Sequence, residues 1–146
     1  MKFSDIEQAK WPQLRPYLDT CLLPVTGLTG REEPWQATRQ LEMLRDLLDL
    51  VEIPFKGRVV TYPALHYIHQ DTGRQLLSEV CRQLKACGFA YIIIAALDDI
   101  GGWAENVEEC ALFLTDSQLQ EYSAEDRQRF VGERVAAIWN ASHAPQ

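Results

Sequence analysis

Residues 76–95 read Leu-Leu-Ser-Glu-Val-Cys-Arg-Gln-Leu-Lys-Ala-Cys-Gly-Phe-Ala-Tyr-Ile-Ile-Ile-Ala, and this stretch decides the fold. Leu76, Leu77, Val80, Cys81, Leu84 and Cys87 recur at helical spacing and give one apolar face. Asp71 or Thr72 can cap this helix, and Gly88 stands where a terminating glycine belongs. Phe89–Ala95 follows at once, β-branched and continuously apolar, as a strand covered on both faces reads. Upstream, Arg58-Val-Val-Thr-Tyr62 is a second short strand closed by Pro63. Strand, helix, glycine and strand at this spacing make a βαβ unit with parallel strands.

Working outward, Thr20-Cys-Leu-Leu-Pro-Val-Thr26 is another buried strand, ending in a loop with Gly27 and Gly30. Pro24 lacks a ladder donor, so the strand should be short, bulged or at an edge there. Glu32, Glu33 and Pro34 suit the first turn of a helix. Trp35, Thr38, Leu41, Leu44, Leu48 and Val51 give it an apolar face running to about Leu50, and Pro54 stops it. Cys110–Leu114 reads as a fourth strand, and Ser117 opens a turn. A last helix over Ala124–Asn140 turns Val131, Val135, Ile138 and Trp139 inward. Ser4 with Glu7 suggests a capped turn, limited by Pro12 and Pro16, in a segment 1–17 that packs as a lid through Phe3, Ile6 and Trp11. The expectation is one α/β domain over 1–146: a three-layer sandwich with a mostly parallel sheet of about four strands, Ile92–Ala95 central, and helices on both faces.

A chain of 146 residues can bury about 70% of its unfolded surface without staples. Its 14 basic residues against 21 acidic ones, for a net charge of −7, argue against nucleic acid, whose affinity comes from cations on phosphates. Met1–Lys10 lacks the apolar core of a signal peptide, and the longest apolar run, Phe89–Leu97, is too short to span a bilayer. With Cys21, Cys81, Cys87 and Cys110 in apolar stretches and no C-x-x-C pair, the expectation is a cytoplasmic chain with buried, reduced thiols and no membrane insertion.

In a parallel α/β sheet, ligands meet the carboxyl ends of the strands. Four loops converge there, carrying Glu32 and Glu33, then His66, Tyr67 and His69, then Asp98, Asp99 and Trp103, and finally Asp116. These nine residues are the candidate binding or contact set. The histidines with Asp71, Asp98, Asp99 and Asp116 offer nitrogen and oxygen ligands, but His-x-x-His on a loop lacks the spacing that puts two imidazoles on one helix face. Stoichiometric zinc is therefore not expected, and neither is any cofactor. Gly27-Leu-Thr-Gly30 precedes a helix as a phosphate loop would, without either nucleotide-binding fingerprint, and Glu32 and Glu33 would repel a phosphate. Asp98–Glu109 carries five carboxylates and no base. Trp103 follows two glycines in it, either as a contact anchor for a basic partner or as a cover for the core.

Tyr17-Leu-Asp-Thr-Cys-Leu-Leu-Pro-Val25, with Gly57-Arg-Val-Val and Pro63–Tyr67, resembles the YpiF-like domain-of-unknown-function family of Bacillus-type Firmicutes. That resemblance implies a bacterial cytoplasmic protein with a hint of a respiratory link, and it supplies no catalytic residues. Leu-Pro-Val leading to a glycine-bearing loop is also similar to the creatininase amidohydrolase fold, but the metal-binding His of that family has no counterpart between Gly27 and Pro34. The resulting expectation is a non-catalytic accessory or regulatory protein that binds a protein partner or itself. The alternative is a small hydrolase, metal-dependent or not, working from the strand-end loops.

Overall fold

A computed structural model describes residues 1–66, 70–99, 102 and 107–141. After a 3-10 turn at Phe3–Asp5 come α1 (Trp11–Leu14), β1 (Thr20–Val25), α2 (Pro34–Glu52), β2 (Val59–Thr61), α3 (Gln70–Ala86), β3 (Tyr91–Ala96) and β4 (Leu112–Thr115). A second 3-10 turn, Asp116–Leu119, leads to α4 (Ala124–Ala141). The four strands form one parallel sheet in the order β2-β1-β3-β4. Strand β3 is interior, as its run of isoleucines requires, and the three-layer α/β sandwich is as expected. Among the described residues, no helix is long and apolar enough to cross a membrane.

Period-two alternation divides the core. Leu22, Val59, Ile93, Ala95 and Leu114 face α2 and α4, meeting Leu44, Leu47, Val51, Val131 and Val135. Cys21, Leu23, Val60, Ile92, Ile94 and Phe113 face the other way, onto Leu77, Cys81 and Leu84 of α3. Phe3, Ile6, Trp11 and Leu14 of the amino-terminal segment pack against that second layer. The capped turn at Ser4 does not form. Asp5 instead accepts the Lys2 backbone N–H at 2.9 Å, and the helix is confined to Trp11–Leu14 with Pro12 in its first turn.

Pro24 sits in a six-residue strand with continuous register to β3, so β1 is neither short nor bulged there; of the three expected options the edge is the one that holds, because β2 no longer flanks β1 at Pro24. The reason is directional. Leu22 accepts from Tyr62 on the β2 side, so Pro24, two residues on, turns its missing donor to that same side. Strand β2 has already ended there, its last pair being Leu22 with Thr61, so no ladder bond is lost. The Pro24 carbonyl accepts from Leu65 N–H at 3.0 Å instead.

Helix α2 corrects a second expectation. Trp35 is 68% and Leu41 43% exposed, off the buried face. Each step of three residues falls about 60° short of a full turn, so 35, 38, 41 and 44 drift by about half a circle, and Trp35 ends opposite Leu44. The same drift leaves Leu76 of α3 half-exposed and Cys87 exposed, correcting the expectation that all four thiols are buried. Gly88 adopts φ +116° as a helix stop, and a Cβ there would sit 2.9 Å from the Arg15 guanidinium that caps the Cys87 carbonyl.

At the amino edge of the sheet, Arg58 donates two bonds to Asp19, at 2.9 and 3.0 Å. Its guanidinium lies 4.1 Å from the centre of the Trp139 ring, and the Trp139 indole N–H donates to buried Thr20 at 2.9 Å. This clamp ties the end of α4 to the starts of β1 and β2.

Candidate functional site

The loops after the neighbouring strands β1 and β2 lead to helices on opposite faces of the sheet, α2 and α3, and such a divergence is where open α/β sheets bind ligands. Thr26 follows β1 there, and its hydroxyl lies 3.0 Å from His66 Nδ1 in a hydrogen bond. The Val25–Leu65 bridge sets this pair in place. The Gly27–Gly30 loop does form an anion-binding concavity, and its occupant is internal. Glu32 accepts from Thr29 N–H at 2.9 Å, Thr29 Oγ1 at 3.0 Å and Gly30 N–H at 3.0 Å. Chiefly through the Thr29 N–H, these bonds hold its carboxyl below the usual Glu range. Their contribution is present above the ordinary Glu pKa and is lost as pH falls through the lowered one. Glu33 caps α2 with its backbone, its N–H donating to Gln36 Oε1 at 2.9 Å.

Asp116 is buried and aimed at α4, with its carboxylate 3.7 Å from Arg127. Asp98 and Asp99 are exposed just beyond β3. Among the described residues, no three His, Cys, Asp or Glu side chains gather closely enough to hold a metal ion. Tyr67, His69 and Trp103 lie outside the described residues. The structure thus brings His66 to Thr26 and Glu32 to its own loop, and directs Asp116 toward Arg127.

Sequence reasoning missed the concave feature at this edge. A cavity of about 420 Å³ opens beside the carboxyl ends of β1 and β2. Leu41, Leu44 and Leu48 of α2 form one wall, Pro24, Tyr62 and Pro63 another, and Phe3 a third. Thr26 and Thr61 supply hydroxyls, with Thr61 donating to Glu52 at the end of α2. The available signal was the width of the α2 stripe. Leu41, Leu44, Leu47, Leu48, Leu50 and Val51 spread over more arc than a single core contact needs. A second cavity, of about 800 Å³, lies at the opposite edge between Trp11, Arg15, Cys87 and Phe89.

The thiols sort by environment. Burial pushes Cys21 up to about 12, with Cys81 adding to it, and pushes Cys81 to about 12 and Cys110 to about 11. Cys87 is exposed. At pH 8, a colourimetric disulfide reagent should titrate one thiol rapidly in the native protein and four in denaturant. Fast reaction of two or more in the folded state would contradict this placement. The raised values also fix a sign. The fold keeps these protons where the unfolded chain releases them, so this contribution is whole below about pH 8.5 and falls as pH rises toward 12.

A family model described as Protein of unknown function (DUF2487) matches residues 9–143, and the chain belongs to that family. No curated protein and no solved structure matches it.

Proposed function

We propose that this member of the DUF2487 family is a non-catalytic binding protein, an accessory or regulatory component whose ligand seats in the groove between α2 and the carboxyl ends of β1 and β2. The observation that carries the reading is the groove itself. It is apolar, placed at the edge where parallel sheets receive ligands, and walled by Leu41, which is 43% exposed without a core to cover. The groups suited to chemistry support the same reading through their engagements: His66 with Thr26, Glu32 with its own loop, Asp116 with Arg127, and the buried thiols held protonated. The setting in a Bacillus-type cytoplasm and the link to respiratory-chain assembly are part of the proposal and rest on the resemblance of Tyr17–Val25 and its companion segments alone.

Nile red, a neutral apolar dye, tests the groove. It should bind the native chain saturably, and Leu41→Asp should weaken binding at least tenfold while leaving the melting temperature nearly unchanged, because that position is on the surface. Equal binding by both proteins would remove the groove as a site.

A further inference from the structure

We infer that the groove's ligand is a small amphipathic monoanion, specifically a straight-chain carboxylate with its alkyl body along Leu41, Leu44 and Leu48 and its head between Lys2 and Arg45. This rests on the binding reading above and adds the ligand class. Among the described residues, two charged ones line the cavity, Lys2 and Arg45, and both are basic in a chain that carries 21 acidic residues and 14 basic ones. Both are exposed, which puts them at the mouth while the leucines form the wall. Arg45 also pairs with Asp46 at 3.4 Å, but both side chains stand mostly in water, where such a contact is screened and weak.

The cavity at the other edge lacks this bias. Its charged lining is Glu7 with Arg15, and Arg15 is already bound to the Cys87 carbonyl.

Size and charge narrow the class. A cavity of about 420 Å³ falls within the roughly 300–1,000 Å³ of small-molecule sites. The charges in the lining itself, Lys2 and Arg45, are positive, and they are tempered from outside it by Glu52, hydrogen-bonded to Thr61, and by Asp46 beside Arg45. Cations tempered in this way match a singly charged carboxylate better than a phosphate dianion. A guanidinium fork also donates two parallel bonds to a carboxylate.

Calorimetric titration of the full chain with octanoate, decanoate and dodecanoate, and with decanol and decyl phosphate, tests the inference. Affinity should rise about fourfold per added methylene. Decanoate should bind at least tenfold tighter than decanol, and Arg45→Gln and Lys2→Gln should each remove most of that advantage without shifting the melting temperature. Equal affinity for decanoate and decanol, or decyl phosphate binding more tightly than decanoate, would overturn the carboxylate while leaving the groove intact. Decanoate binding that Leu41→Asp does not weaken would place the ligand elsewhere and overturn the inference. Loss of Nile red binding to the groove, in contrast, would remove the binding reading beneath it.

Discussion

Ile93→Ala should lower the unfolding free energy by about 3–4 kcal/mol, within the range for truncating a fully buried aliphatic side chain. Ile93 is wholly buried in the middle of β3, in register with Leu22 on one side and Leu112 on the other. Its side chain fills the layer shared by Leu44, Leu47, Leu114 and Val131, so the loss removes contacts to two helices and two strands at once. At about 2–4 °C per kcal/mol for a chain of this size, melting should drop by roughly 10 °C. Denaturant titration checks it: the midpoint should fall while the slope stays constant, because the surface exposed on unfolding is unchanged. Ile93→Val, which deletes one methylene, should cost about 1 kcal/mol. A loss below about 1 kcal/mol for the alanine variant would mean that the layer collapses around the site, and the central position of β3 would carry less of the stability than its burial implies.

Trp139→Ala should be the second large effect, at about 3 kcal/mol. The indole is stacked 4.1 Å from the Arg58 guanidinium, meets Phe55 edge-on at 5.1 Å, and donates to Thr20. Trp139→Phe separates these parts. It keeps ring packing and loses the indole donor to Thr20, so it should cost about 1 kcal/mol, the net worth of one hydrogen bond. The Arg58–Asp19 pair is roughly one-third exposed, so solvent tempers its share of the clamp. Equal losses for the alanine and phenylalanine variants would shift the clamp's weight from stacking to the single hydrogen bond. Thermal unfolding of both variants at one pH decides the matter.

The fold was legible because its strands are short, nearly continuous apolar runs. Ile92–Ile94 cannot sit anywhere but between two covered faces, and the Gly88 stop fixes where the preceding helix ends. The faces of α2 and α3 were less legible, because a leucine every three residues looks periodic while rotating away from the core. Trp35, Leu41 and Leu76 are the residues that drift out. Pro24 was legible only as three options, because a residue's backbone points to one neighbour only, and that the open edge is the option that holds is a property of register. The site was the least legible part. A groove arises where Phe3, Leu41 and Pro63, far apart in the chain, meet across a gap, and no local spacing encodes that meeting. Glu32 was read as repelling an external anion, which is correct in sign. Its capture by its own loop required knowing that Thr29 and Gly30 turn their N–H groups inward.

Strand β1 precedes its long partner by nearly half the chain: Thr20 pairs with Tyr91, 71 residues later by the difference of their positions. During synthesis at about 5–20 residues per second, that partner arrives roughly 4–14 s after β1. Throughout that interval Thr-Cys-Leu-Leu-Pro-Val is an apolar, uncharged β segment, the composition that seeds aggregation. Pro24 interrupts it. A proline cannot donate to a neighbouring chain, and it disqualifies the segment from the uniform ladder that stacked strands need. Because β2 stops at Thr61, opposite Leu22, the native sheet asks for no donor at Pro24, and the same residue that leaves the folded ladder intact keeps nascent chains from pairing with one another through β1.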